Sequence, residues 1–155
     1  MAETGKIKVL FVDDEVHNLE AFKATFRRDF EIFVCLNVGD ALKLLETETM
    51  HVILSDQRMP GMTGVEFFEI CQEKIPNVMR ILITGYADIN IVVDAVNKGN
   101  IFKYIQKPWN NELLKSSIFL AYEIYLENLN QKKDIEDLKI VNEQLEFLAR
   151  QNLLS

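Results

Sequence analysis

The chain has 155 residues, 48% hydrophobic and 26% charged, a balance typical of one globular domain with an extension. Its formal net charge of −7 argues against direct contact with nucleic acid or an anionic membrane surface, because both require a cationic face. We find no signal-peptide pattern and no apolar run of membrane-spanning length, so we expect a cytoplasmic protein. Cys35 and Cys71 lie in apolar stretches and are expected to be reduced thiols rather than a disulfide.

Short apolar runs of strand length alternate along the chain with amphipathic stretches of helical period. The predicted strands span residues 7–12, 30–36, 51–55, 78–84 and 101–105. The predicted helices run from 16 to about 28, from a cap at Asn37 or Asp40, over 65–74, over 88–98 and from 111 to about 148. In 88–98, Ile91, Val92 and Ala95 are predicted to lie on one face of the helix. Such alternation predicts a parallel sheet covered by helices on both faces, because each crossover is a helix.

Polar side chains stand at the ends of four predicted strands. Asp13 and Asp14 follow the first strand, Asp56 follows the third, Thr84 ends the fourth, and Lys107 follows the fifth. Because ligands of open parallel sheets bind outside the carboxyl ends of the strands, we expect these groups to converge on one edge. Each residue type is common at such a position by itself, and the combination carries the prediction.

Three carboxylates at one site repel one another unless a cation neutralises them. Oxygen ligands without thiolate or imidazole indicate Mg²⁺. Asp56 would then be a nucleophile that attacks phosphorus to form an acyl phosphate. Lys107 would neutralise charge on the phosphoryl oxygens.

With these residues identified, the chain resembles the receiver domain of two-component response regulators. The resemblance covers about Lys6 to Ala121 and rests on the strings FVDDE, SDQRMPGMTG, ILITGY and YIQKPW in matching order. It implies a flavodoxin-like, doubly wound, five-stranded parallel sheet of order 2-1-3-4-5. The strings also look more like those of receivers attached to cyclic-di-nucleotide phosphodiesterases, phosphatases, hydrogenase regulators or kinases than those of winged-helix factors.

The resemblance implies roles for the acidic residues. Asp14 and Asp56 would bind Mg²⁺ through their side chains, Asp13 would hold a metal-bound water, and the backbone carbonyl of Arg58 would be a further ligand. Asp56 would accept a phosphoryl group from a histidine kinase or a phosphotransfer protein. Such a domain is a phosphoacceptor switch, not a conventional enzyme, and its chemistry is limited to its own phosphorylation and dephosphorylation.

The resemblance also implies a conformational switch. Thr84 would swing to the new phosphoryl group, and Tyr104 would turn inward into the vacated space. Lys107 would pair with the phosphate, aimed by a cis bond to Pro108, and Gly85 would leave room for the phosphate. The face formed by the fourth helix, the fifth strand and the last helix would then change shape.

Two further positions are expected to tune dephosphorylation. Arg58 lies two residues after Asp56, and Tyr86 lies two residues after Thr84. In receivers such positions influence how readily water attacks the acyl phosphate. We hypothesise that the bulk of Tyr86 slows this attack.

The last predicted helix outruns the receiver, which divides the chain into a domain at 6–121 and an extended helix at 122–155. Two sets of apolar residues follow heptad spacing, and a polar stretch at 130–134 covers the offset between them. These are Ile118, Tyr122, Tyr125 and Leu129, and then Leu138, Val141, Leu145 and Leu148. The pattern favours a parallel two-stranded coiled coil and hence a homodimer, with Asn142 setting the register. The alternative is a single amphipathic helix folded back on the receiver.

Three other functions agree less well with the sequence. A magnesium phosphatase with an aspartyl nucleophile would need Asp-x-Asp after the first strand, whereas Asp13 and Asp14 are adjacent. A phosphorylation-independent interaction module of receiver fold would typically lack Asp56, Lys107 or the acidic pair. A flavin-binding site would require a phosphate-binding loop directly after the first strand, but the acidic pair Asp13 and Asp14 at that point would repel a phosphate.

Overall fold

The computed structural model describes residues 5–85 and 88–154, with side chains up to residue 152. Strands and helices alternate throughout these ranges. In chain order they are β1 (Ile7–Val12), α1 (Val16–Phe26), β2 (Phe30–Cys35), α2 (Val38–Thr47), β3 (Val52–Asp56), α3 (Gly64–Lys74), β4 (Met79–Thr84), α4 (Ile89–Asn97), β5 (Lys103–Gln106) and α5 (Asn111–Leu154). Within the described ranges, none of the helices has the length and apolar content needed to cross a membrane.

The strands form one parallel sheet in the order β2-β1-β3-β4-β5, which confirms the predicted doubly wound fold. The strand order reverses between β1 and β3, where Val12 lies opposite both Cys35 of β2 and Ser55 of β3. The loops that follow β1 and β3 therefore open at a topological switch point, where sheets of this kind bind ligands.

Alternate residues of each central strand point to opposite faces of the sheet, and helices cover both faces. Val9 and Phe11 of β1 pack with residues of α1 and α5 in one core cluster. Leu10 and Val12 pack with residues of α2, α3 and α4 in the other. Because both faces are covered, β3 and β4 are buried along their whole length, as their near-continuous apolar sequences predict.

Side-chain caps fix the start of several helices. The Asn37 side chain accepts a hydrogen bond from the Asp40 amide at the start of α2, and Thr63 forms a capping box with Glu66 at the start of α3. On α4, Val92 and Ala95 are buried, but Ile91 is 55% exposed. The prediction that Ile91 shares a face with Val92 and Ala95 was wrong, because only one side of α4 contacts the sheet and the consecutive apolar residues at 91–93 cannot all point that way.

The first half of α5 packs against its own domain. Leu114, Ile118, Ala121 and Tyr125 are buried in the first core cluster, and Tyr122 and Leu129 pack partly buried against it. The ring of His51 packs against two tyrosines of α5, and its centroid lies 5.0 Å from that of Tyr122 and 5.1 Å from that of Tyr125. The first predicted heptad set therefore packs within the domain, and its assignment to a seam between two chains was wrong.

The second half of α5 extends away from the domain as one continuous helix. The Nζ atom of Lys132 donates to Oδ1 of Asn77 at 2.9 Å, close to the point where the helix leaves the body. The apolar residues of the second heptad set are 47–61% exposed: Leu138, Val141, Leu145 and Leu148. Together with exposed Ile135, they leave an apolar stripe without a partner in the single chain.

Candidate functional site

The sheet brings together the three carboxylates that the sequence places at the ends of its first and third strands. Asp13, Asp14 and Asp56 each offer an oxygen, and these oxygens lie within 4.8 Å of one another. The backbone holds them there because β1 pairs directly with β3, and the Asp13 amide donates to the Cys35 carbonyl at 3.2 Å. Asp13 and Asp56 are buried, whereas Asp14 is exposed to solvent.

Asp13 is the most constrained member of the group. Its Oδ1 accepts a hydrogen bond from the Glu15 amide at 2.9 Å, and its Oδ2 accepts one from Nδ2 of Asn18 at 3.0 Å. Burial raises the pKa of Asp13 above its usual value, and although these two hydrogen bonds oppose the rise, the charge of Asp56 adds to it. Holding Asp13 ionised therefore costs free energy when no cation is present.

Asp56 is paired with the predicted ammonium group. The Nζ atom of Lys107 lies 2.7 Å from Oδ1 of Asp56, and the Gln57 amide donates to the same oxygen at 3.0 Å. The Lys107 amide donates to the Thr84 carbonyl at 2.9 Å, and the Lys107–Pro108 peptide bond is cis. The side chain of Lys107 thus reaches across the end of β4 to the carboxylate on β3.

The two predicted switch residues lie on neighbouring strands. Thr84 is fully buried, and its hydroxyl donates to the Gly85 carbonyl at 3.2 Å. Tyr104, which pairs with Leu82 in the sheet, packs partly buried against the second core cluster. A Cβ atom built at Gly85 would meet no heavy atom within 4 Å, so the space beside this residue is open.

Gly64 is a position whose close packing the sequence does not reveal. A Cβ atom there would lie 2.5 Å from the Asp56 carbonyl oxygen and 2.6 Å from Cδ1 of Leu82. The Gly64 amide also donates to the Gln57 carbonyl at 3.0 Å. The absent side chain therefore lets the start of α3 approach the backbone of Asp56. A glycine directly after the capping residue Thr63 was the available signal.

A second feature that the sequence did not reveal joins two loops of the site. The guanidinium of Arg58 binds the carboxylate of Asp88 through two hydrogen bonds, Nε to Oδ2 at 3.0 Å and Nη2 to Oδ1 at 3.3 Å. The hydrogen bonding to Asp88, followed by its charge, raises the pKa of Arg58. Tyr86, the other predicted tuning residue, lies outside the described residues.

The cysteines take no part in this cluster. Both are free thiols, as predicted, with Cys71 buried and Cys35 half-buried. Burial raises the pKa of Cys71 to about 12. The site therefore offers oxygen ligands rather than thiolates.

The donor set fits a hard divalent cation. Three carboxylates face one ammonium, and one of those carboxylates is buried at an energetic cost. Mg²⁺ favours such oxygen ligands and is usually held by one or two carboxylates together with water. Asp13, Asp14 and Asp56 are the residues that would hold the ion.

A doubly wound sheet of this strand order with an acidic cluster at its switch point is the arrangement that the resemblance to receiver domains predicts. Comparison of the sequence with known families agrees, since the response regulator receiver domain matches residues 9–119. The chain belongs to the response regulator receiver family of two-component systems. The predicted family membership is therefore confirmed.

Similar proteins include the hydrogenase transcriptional regulatory protein HoxA from two bacteria. The protein of Bradyrhizobium diazoefficiens is 40% identical over 117 residues, which cover 76% of this chain and 24% of the relative. That of Cupriavidus necator is 39% identical over 115 residues, with 74% and 24% coverage. The chain thus spans about a quarter of the length of these relatives.

Solved structures show the same fold. A structure of adenylate cyclase from Rhodopirellula baltica is 28% identical with a TM-score of 0.82, covering 84% of this chain and 98% of that one. A CheY-like response regulator receiver domain protein from Methanospirillum hungatei is 26% identical with a TM-score of 0.74, covering 80% and 99%.

Proposed function

We propose that the protein is a phosphoacceptor switch that receives a phosphoryl group on Asp56 from a histidine kinase or phosphotransfer protein in the cytoplasm. The observation that supports this most directly is the pairing of Asp56 with Lys107 at 2.7 Å inside a cluster of three carboxylates. A carboxylate nucleophile, a fixed ammonium and a cation site are the parts that phosphoryl transfer to an aspartate requires.

In the proposed reaction, a carboxylate oxygen of Asp56 attacks the phosphorus of a phosphohistidine. The O–P bond to Asp56 forms as the N–P bond breaks, and the imidazole departs with the electron pair of that bond. Lys107 stabilises negative charge on an equatorial oxygen through its ammonium. When bound by the side chains of Asp14 and Asp56, the backbone carbonyl of Arg58 and a water held by Asp13, Mg²⁺ would supply charge neutralisation.

The phosphoryl dianion then acts on the end of β4. The hydroxyl of Thr84, which donates to the Gly85 carbonyl in the structure, turns to donate to a phosphoryl oxygen instead. Its movement vacates space into which Tyr104 rotates further. The face built from α4, β5 and α5 changes shape, and partners that prefer the new shape shift the equilibrium by their differential affinity.

Intact-mass analysis after incubation with acetyl phosphate and Mg²⁺ tests this function. We expect the wild-type chain to gain the mass of one phosphoryl group and Asp56→Asn to gain none. Asp94→Asn is a matched control, because Asp94 is exposed on α4 and pairs with Lys98 away from the site. A mass gain that persists in Asp56→Asn would disprove the assignment.

The phosphoryl lifetime tests the proposed tuning role of position 86. We expect Tyr86→Ala to shorten the lifetime, because a smaller side chain admits water to the acyl phosphate. The decay of phosphorylated protein by intact mass measures it. An unchanged or longer lifetime would contradict the proposed role of Tyr86.

We further propose that the exposed stripe on α5 forms a parallel two-stranded coiled coil with a second copy of the chain. Leu138, Val141, Leu145 and Leu148 follow heptad spacing, and Asn142 lies beside this seam, where a polar residue can set the register. Light scattering with and without acetyl phosphate tests the dimer. Leu145→Glu should give a monomer, whereas Arg150→Glu, on the other side of the helix, should not. A wild-type chain that is monomeric in both states would contradict the proposal.

A further inference from the structure

The ion pair between Arg58 and Asp88 connects the loop that carries the proposed phosphoacceptor to the start of α4. Arg58 lies two residues after Asp56, whereas Asp88 is the residue that precedes α4. The side chain of Asp88 is only 14% exposed, whereas that of Arg58 is 71% exposed. The contact is two-pronged, with both carboxylate oxygens of Asp88 engaged by the guanidinium. Such a geometry favours a specific pairing over a loose surface contact.

The ion pair with Arg58 engages the carboxylate of Asp88, which lies beside the first turn of α4, where a capping side chain could bind. Asp88 directly precedes α4, and its side chain accepts no hydrogen bond from the first turn of the helix. Asn37, Thr63 and Asn110 cap α2, α3 and α5 with their side chains, whereas Glu15 before α1 does not. Aspartate is among the strongest N-cap residues, so the carboxylate of Asp88 is able to cap these amides once it leaves Arg58.

In the structure the carboxylate of Asp88 lies in the guanidinium fork of Arg58, and it cannot cap the first turn of α4 at the same time. A phosphoryl dianion on Asp56 would change the balance, because it places about two negative charges close to the chain segment that carries Arg58. The guanidinium would then be shared with, or lost to, the phosphoryl oxygens.

We propose that the Arg58–Asp88 pair is a latch that holds α4 in its unphosphorylated position. Phosphorylation draws Arg58 from Asp88, and the freed carboxylate caps the first turn of α4. The inference rests on the proposed function of Asp56 and adds a positioning role for Asp88 in the switch. It couples the charge on Asp56 to the start of α4 by a route separate from the hydroxyl of Thr84.

Two substitutions separate the latch from the cap. Asp88→Asn keeps an oxygen that can cap α4 but gives up the charge that holds Arg58, so it releases the latch. Asp88→Ala gives up both. Asp94→Asn removes the other ion pair of α4, that with Lys98 at 2.9 Å, and serves as the control.

The probe is beryllium trifluoride with Mg²⁺, a stable substitute for the phosphoryl group. Trp109 is the single tryptophan of the chain and lies two residues after Lys107, so its fluorescence can report the titration. We expect Asp88→Asn to lower the half-saturating concentration roughly two- to fivefold, which at about 1.36 kcal/mol per tenfold corresponds to about 0.4–1 kcal/mol, the range of an exposed ion pair. Asp94→Asn should leave it unchanged.

Hydrogen exchange gives a second readout that a merely structural role would not move. In the wild type, beryllium trifluoride should slow exchange of the amides in the first turn of α4, because Asp88 then caps them. Asp88→Asn should show part of this protection before the probe is added, and Asp88→Ala should show none in either state.

The outcomes separate the two levels of the proposal. A wild-type chain that fails to respond to beryllium trifluoride would overturn the phosphoacceptor function and the latch with it. A normal wild-type response with no gain of affinity in Asp88→Asn would overturn the latch alone. Unaltered exchange in the first turn of α4 would do the same.

Discussion

Asp13 illustrates how a single residue can serve a binding site at the expense of the fold. Its carboxylate is fully buried beside Asp56, and burial raises its pKa because the charged form loses hydration. Without a bound cation, an ionised carboxylate at this buried position destabilises the folded chain. The hydrogen bonds from Glu15 and Asn18 offset only part of this cost.

We therefore expect Asp13→Asn to stabilise the protein in the absence of Mg²⁺. The gain should be about 0.5–2 kcal/mol, the range typical of a single stabilising substitution. Thermal unfolding in EDTA measures it. Added Mg²⁺ should raise the melting temperature of the wild type more than that of the variant, because only binding to the folded state stabilises. A lower melting temperature for Asp13→Asn in EDTA would contradict the argument.

Gly64 shows the opposite case, a residue required for its lack of a side chain. We expect Gly64→Ala to lose about 1–3 kcal/mol of unfolding free energy, as overpacked positions do, because its Cβ would collide with the backbone of Asp56. Gly85→Ala is the control, since a Cβ there meets nothing within 4 Å. Denaturant unfolding compares the two, and equal stabilities would contradict the collision.

At the scale of elements, α5 has two parts with different roles. Its first half buries Tyr125 against His51 and the first core cluster, whereas Leu145 in its second half is 59% exposed. The same helix thus closes the domain and carries the proposed dimer stripe.

This division predicts different outcomes for two similar truncations of side chains. Tyr125→Ala should cost about 2–4 kcal/mol of unfolding free energy, because it removes a buried aromatic ring. Leu145→Ala should leave the unfolding of the receiver unchanged and weaken association instead. Denaturant unfolding at low protein concentration measures the first effect, and light scattering measures the second. A loss of receiver stability in Leu145→Ala would show that the two halves are not separate.

The elements themselves were largely predictable from the sequence. β-branched runs indicated β1, β3 and β4 because strands buried on both faces need continuous apolar sequence. The errors came from packing that a sequence does not display. Ile91 shares helical spacing with its neighbours but faces solvent. The heptad set from Ile118 to Leu129 has the spacing of a seam, and only the tertiary structure shows that the receiver occupies that side of α5.

At the scale of the whole molecule, the predicted boundary at residue 121 can be tested by truncation. Both core clusters lie within residues 7–129, and the contact from Lys132 to Asn77 follows. We expect a chain ending at residue 133 to fold, to bind beryllium trifluoride and to be monomeric, because it lacks the proposed dimer stripe. A chain ending at 121 loses Tyr125 and should unfold at a lower temperature. Equal melting temperatures would support the shorter boundary.

The sequence allowed prediction of those site residues that the order of the strands alone brings together. Asp13, Asp14, Asp56, Thr84 and Lys107 follow from strand ends and from the resemblance, because parallel strands bring their carboxyl ends to one edge. The pair of Arg58 and Asp88 did not follow, since the partners lie 30 residues apart in two loops and no periodic pattern relates them.

The unbroken run of α5 past the body gives the molecule a mechanical property. Residues 130–154 of the helix project over about 37 Å at 1.5 Å per residue. A tilt of this segment would pivot near the contact between Lys132 and Asn77. A tilt of about 10° there moves the end of α5 by about 6 Å, which exceeds one helical pitch. A small change of angle where α5 leaves the domain therefore displaces the end of the helix by a full helical turn.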